Sequence, residues 1–119
     1  MRSDDRQFSP VAMAAEVLES RWTLLIVRGL CLGSKHFNDI RKGVPKMSPT
    51  LLSKRLKELE WHGILKRVAS PMGSRKSEYV LTQAGIELFD VINAIGSWGK
   101  RWIDMRHNLD SAKENLLIW

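Results

Sequence analysis

Apolar residues near the start of the chain fall at Val11, Met13, Ala14, Val17 and Leu18, and again at Trp22, Leu25, Ile26, Leu30 and Leu32. That spacing is closer to a 3.6-residue period than to alternation, and it predicts two helices or one broken helix. Ser9-Pro10 is a start signal, because a serine oxygen can satisfy an orphan N–H of the first turn and proline has no N–H to lose. Gly33 closes the second piece as a helix-ending glycine. A short helix over His36–Lys42 puts Phe37 and Ile40 on one face, and Gly43-Val44-Pro45 stops it.

The next start is the clearest in the chain: Ser48 as N-cap, Pro49 at the first helical position, and no breaker before Gly63. Leu52, Leu56 and Leu59 recur at i, i+4 and i+7 and form an inward stripe, with Leu51 and Trp61 to its sides. The opposite face carries Thr50, Ser53, Lys54 and Lys57, with Arg55 toward the flank. Two helices joined by a Gly/Pro turn, the second opening on small polar residues and rich in Lys and Arg, describe a helix-turn-helix. Beyond Gly63 the period shortens. Ile64–Val68 and Ser77–Leu81 read as strands of a hairpin whose tip, with Pro71, Gly73 and Ser74, carries Arg75 and Lys76. Thr82 then caps a last helix to about Met105, with Ile86, Phe89, Ile92, Ile95, Trp98 and Trp102 three or four apart. The expected fold is mainly α with a small β-hairpin, a winged helix-turn-helix with terminal dimerisation helices. Within one domain over 1–119, the helix-turn-helix covers about 36–62, the wing about 64–81 and the dimerisation helix about 83–106.

The last stripe is too long and aromatic for so small a core to hide, so self-association is expected; a helix lying over its own domain is the alternative. Gly96 and Gly99 would each cost about 1 kcal/mol relative to Ala inside a helix, which predicts a kink or a close crossing there. The tail, 107–119, ends on Leu116-Leu117-Ile118-Trp119. It reads as the start of a truncated second domain, or as an arm docking on a dimer mate.

Charge sharpens the picture. The net charge is +6, and residues 36–82 hold ten Lys/Arg against four Asp/Glu, while the flanking segments are nearly neutral. A basic middle is the electrostatic footprint of a surface that faces a polyanion, although a solvated basic face has the same composition. With 44% hydrophobic and 27% charged residues the chain has an ordinary globular composition. No apolar run approaches the ~20 residues of a membrane span, and Met1–Pro10 lacks the apolar core of a secretory signal, so the expected location is the cytoplasm. The single cysteine, Cys31, excludes an internal disulfide and a Cys-pair zinc site. Between Leu30 and Leu32 it reads as a buried thiol, with redox sensing as the alternative.

In a helix-turn-helix the N-terminal residues of the second helix meet base edges in the major groove. The candidates for double-stranded DNA are therefore Ser48, Pro49, Thr50, Ser53, Lys54, Arg55 and Lys57. Lys54 or Arg55 can donate to guanine or to phosphate, and the hydroxyls to either. At the wing, Arg75 and Lys76 would reach the backbone or a narrow minor groove. Catalytic arrangements fit poorly. His36, His62 and His107 lie far apart, Glu58 and Glu60 do not share a helix face, and no histidine is placed to activate Ser48 or Ser53. No metal, cofactor or enzymatic role is expected.

From Arg21 to Trp98, about two-thirds of the chain, the sequence resembles the HxlR-type branch of the MarR-like winged-helix regulators. The resemblance is carried by the ordered set of Trp22 with its apolar run, Phe37-Asn38-Asp39-Ile40, the run from Ser48-Pro49 through Glu58-Leu59, Gly63-Ile64, and Tyr79-Val80-Leu81-Thr82 followed by Gly85. It implies a homodimer built from terminal helices on a pseudo-palindromic operator, one recognition helix per half-site. It supplies no small-molecule effector. Many relatives carry a Cys-Pro pair near the N-terminus, where this chain has Ser9-Pro10, so a thiol switch there is not expected. Some relatives continue into a sterol-carrier-like effector domain, which would agree with the apolar tail. Two function classes follow: a sequence-specific transcriptional regulator, or a winged helix used for protein–protein interaction without DNA binding. The basic hairpin tip and the small polar start of the second helix favour the first.

Overall fold

Ser9 opens the first helix, α1 (Pro10–Leu18), its Oγ accepting from the Ala12 N–H at 3.4 Å. The break the periodicity left open falls at Glu19-Ser20: Ser20 Oγ accepts from the Trp22 N–H at 3.1 Å and starts α2 (Arg21–Cys31). A serine oxygen offering a new cap is enough to end one helix and begin the next. Gly33, at φ 111°, turns the chain out of α2, a conformation that favours glycine. Cys31 is half-buried rather than buried, and Leu32 beside it is exposed, because the helix end leaves both at the edge of the core.

The computed structural model describes residues 9–70 and 76–104; Arg75, Pro71, Gly73, Ser74 and the tail 107–119 lie outside the described residues. By its packing the chain divides into two compact units, the first ending at Phe89 and the second beginning at Asp90.

In the first unit, α3 (Phe37–Lys42) and α4 (Pro49–Trp61) follow α2. The turn between α3 and α4 is anchored by Val44 and Met47, both buried, and by Met47 N–H donating to the Val44 carbonyl at 2.9 Å. Leu52, Leu56 and Leu59 of α4 are the inward stripe that the periodicity predicts. With Ile26, Val27 and Leu30 of α2 and Ile40 of α3 they belong to the buried hydrophobic core. Fully burying one such side chain contributes about 1.5–3 kcal/mol, so this leucine face fixes how α4 is rotated about its axis.

After α4 the chain turns at Gly63, φ 78°, into β1 (Leu65–Ala69), which pairs antiparallel with β2 (Ser77–Leu81) in the register Leu65↔Leu81 to Ala69↔Ser77. β1 starts one residue later than the apolar run suggests. The Ile64 N–H donates to Leu59 at 2.9 Å and its carbonyl accepts from Thr82, so Ile64 belongs to the turn. The far edge of β2 is covered in part by Lys35, whose carbonyl accepts from the Tyr79 N–H at 2.8 Å. Thr82 caps α5 (Gln83–Gly99), accepting from the Gly85 N–H at 3.2 Å.

The second unit contains the remainder of α5 and a π-helical turn, Lys100–Asp104. The helix is thus continued at Gly99 by a wider turn, and a Cβ at Gly96 or Gly99 would meet no other part of the chain within 4 Å. Gly99 borders that change of helical winding, and among the described residues no other segment of the chain comes close to either glycine. Of the apolar stripe, Ile92 is 8% exposed, whereas Ile86, Phe89, Ile95, Trp98 and Trp102 are exposed.

Candidate nucleic-acid interface

Because the leucine stripe of α4 is buried, the opposite face is presented outward by construction. Thr50, Lys54, Lys57 and Trp61 are spaced i, i+4, i+7 and i+11, which keeps them on one line along a 3.6-residue helix. Together with Pro49, Ser53 and Glu58 they line a shallow depression of about 670 Å³. Thr50, Lys54 and Lys57 are exposed, and the two lysines make no ion pair among the described residues. Two unpaired ammonium groups one turn apart repel each other in the free protein, and an anion laid along the helix relieves that repulsion.

Ser48 sits at the start of this face but already has work: its Oγ accepts from the Leu51 N–H at 3.1 Å. Its oxygen holds the helix N-terminus where Pro49 and Thr50 are exposed.

The structure separates Arg55 from the other candidates. Its Nη1 donates to Glu58 Oε1 at 2.8 Å, its Nε is buried without a partner, and it lines a different hollow, with Glu16, Glu19 and His62. Glu58 lines both hollows, so the guanidinium approaches from the flank a carboxylate that also borders the groove face. Arg55 therefore offsets the one negative charge on that face.

Sequence reasoning set Trp61 to the side, whereas it is 82% exposed and in line with Thr50. Its ring stands edge-on to His62, with centroids 5.0 Å apart. The signal was present in the spacing from Thr50, but an aromatic invites assignment to the core. At the wing, Arg75 lies outside the described residues, and Lys76 closes the hairpin through its carbonyl, which accepts from the Ser70 N–H at 3.2 Å. The side chain of Lys76 borders a second hollow with Ser53, Arg67 and Tyr79. Neither Arg67 nor Tyr79 is singled out by composition, since only the strand register sets them opposite each other.

Burial raises the Cys31 thiol above its ordinary pKa, so less of it is thiolate at neutral pH. Among the described residues no three His, Cys, Asp or Glu side chains are placed to hold a metal ion, and no helix is long and apolar enough to cross a membrane.

These features agree with what the chain is similar to. A family model for HxlR-like helix-turn-helix proteins matches residues 17–107. The HTH-type transcriptional regulator YvaP of Bacillus subtilis is 41% identical over 91 residues, covering 76% of this chain and 84% of YvaP. Among solved structures, the reduced form of the transcriptional regulator YodB from B. subtilis superposes with a TM-score of 0.69 at 33% identity, covering 80% of this chain and 94% of that one. PA1607, described as a putative transcription factor, superposes with a TM-score of 0.76 at 33% identity, covering 85% of this chain and 70% of its own. An exposed, lysine-bearing second helix, a two-stranded wing and these matches lead to one conclusion: the chain belongs to the HxlR-like helix-turn-helix family and is a winged-helix transcriptional regulator.

Proposed function

We propose that the protein reads an operator by inserting the N-terminal half of α4 into the major groove, with Thr50, Ser53 and Lys54 toward base edges and Lys57 toward the backbone. The observation that carries this is the division of α4 into a fully buried leucine face and an exposed face with two unpaired lysines. The major groove, about 12 Å wide, admits one helix, and hydroxyl and ammonium groups on its outer face can donate to guanine O6/N7 or to phosphate. Lys76 and Arg75 extend the contact from the wing. The protein acts as a homodimer, which would set two recognition helices about 34 Å apart or a multiple of it on a pseudo-palindromic site. Exposed Ile86, Phe89, Ile95, Trp98 and Trp102 along the last helix supply an apolar surface of the kind an obligate interface uses. Its task is binding rather than catalysis, and it takes place in the cytoplasm, where a prokaryotic chromosome lies.

Selection of bound fragments from random duplex DNA, followed by anisotropy across salt, tests this. A preferred site should emerge, and log K should fall steeply with log salt. Lys54→Ala and Thr50→Ala should each lose about 1–3 kcal/mol on the preferred site and far less on unrelated duplexes. Absence of binding to any duplex at low salt would instead point to a protein-interaction module.

A further inference from the structure

The hollow between the hairpin and the helix-turn-helix, of about 440 Å³, is bordered by Ser53, Arg67, Lys76 and Tyr79, with His36 and Asp39 at one side. Ser53 borders this hollow and the depression along α4 alike, so the two meet at one side chain. Arg67 and Tyr79 are direct partners across the ladder, and facing partners leave the same side of a hairpin. The Tyr79 backbone is fixed from its other edge by Lys35. Arg67 is exposed and has no ion pair among the described residues. The nearby carboxylates face His36 instead: Glu78 Oε2 lies 3.7 Å from its Nε2 and Asp39 Oδ2 3.8 Å from its Nδ1.

We propose that this hollow seats a phosphodiester of the bound duplex, with Arg67 and the Tyr79 hydroxyl as its ligands, so that the root of the wing grips the backbone. The proposal rests on the groove-binding role given above for α4. A helix in the major groove is flanked by sugar-phosphate walls, so a cavity that adjoins its outer face at Ser53 must look onto one of them. The planar guanidinium offers paired donors matched to phosphate oxygens, and a phenol adds a neutral donor. Arg67, without an ion pair among the described residues, is a positive charge that a phosphate offsets. A free phosphate ion has the same chemistry, and the experiment separates the two sources.

Arg67→Ala, Arg67→Lys and Tyr79→Phe are compared with the parent chain by anisotropy on its preferred duplex and on an unrelated one, from about 50 to 200 mM salt. Arg67→Ala should weaken both duplexes alike and lower the slope of log K against log salt by about 0.9 per protomer, so that each protomer's salt-induced loss over that range shrinks about 3- to 4-fold. Arg67→Lys should keep the slope but bind more weakly, and Tyr79→Phe should lose a few-fold at unchanged slope. Tyr79 is the chain's one tyrosine, so its ring resonances report on the hollow directly. They should shift with stoichiometric duplex and stay in place with the same concentration of inorganic phosphate. Normal duplex binding with an unchanged slope and affinity in Arg67→Ala overturns the proposal while leaving the recognition-helix role standing. A shift with inorganic phosphate alone assigns the hollow to a free anion and overturns it too, and failure of the parent chain to bind any duplex removes both. Because Arg67 is exposed, its variants should melt with the parent chain, and melting curves check that.

Discussion

Thr82 and Gly85 show how two side chains can fix the joint between the wing and the last helix. The Thr82 hydroxyl donates to the Gly63 carbonyl at 2.6 Å and accepts from the Gly85 N–H, while the Thr82 N–H donates to the Ile64 carbonyl at 3.0 Å. Gly85 packs so closely under that turn that an added Cβ would collide with the Ile64 carbonyl oxygen and the Leu81 side chain. Gly85→Ala should therefore cost about 1–3 kcal/mol or more as the turn shifts, and Thr82→Val about 1–3 kcal/mol for the carbonyls left without a donor. Urea unfolding measures both, and a Gly85→Ala chain as stable as the parent would refute the close approach. At Ser9 the hydroxyl caps α1. Burial raises the pKa of the chain's one thiol, Cys31, so iodoacetamide should modify it more slowly at neutral pH than a free cysteine. Its rate should go on climbing at alkaline pH where the free thiol has levelled off. Equal rates with free cysteine at neutral pH would contradict this.

At the scale of the element, α4 is where sequence patterning is most informative and also where it misleads. Its start, its end and its buried leucines follow from Ser48, Pro49, Gly63 and the i, i+4, i+7 spacing, because each is a local cause. The side-chain neighbours are not local in that sense. Whether Arg55 faces DNA depends on Glu58 and on the hollow it shares with Glu16 and Glu19, which lie far from it in sequence. Arg67 opposite Tyr79 likewise needed the hairpin register, which the two apolar runs do not specify. The Arg55–Glu58 pair gives a direct test. Arg55→Ala uncovers a carboxylate beside the groove face and should weaken DNA binding roughly fivefold, the ~1 kcal/mol of one charge pair a few ångströms apart in water. Arg55→Ala/Glu58→Ala should return affinity to that of the parent chain. If the double variant stays as weak as the single one, Arg55 is itself a phosphate ligand.

For the whole molecule, the decisive quantity is apolar surface that the protomer leaves in contact with water. Trp98 is 60% exposed, with Trp102, Ile95, Phe89 and Ile86 also open, while Ile92 of the same stripe is satisfied within the protomer. Covering one such large side chain contributes about 1.5–3 kcal/mol, so a handful buried together can offset the estimated 4–15 kcal/mol of freedom lost when two chains associate. The periodicity identified this stripe but could not single out Ile92, because the spacing treats every position of the stripe alike. The two classes of residue should respond differently to substitution. Phe89→Asp places a charge in the proposed dimer surface and should yield a folded monomer by light scattering at micromolar concentration, with weakened operator binding because two half-sites are no longer engaged together. Ile92→Ala should instead lower the melting temperature, by an amount in line with the ~2–5 kcal/mol of a buried isoleucine truncated to alanine. An unmutated chain that is monomeric at those concentrations would refute the dimer, and a Phe89→Asp chain that remains dimeric would move the interface off this stripe.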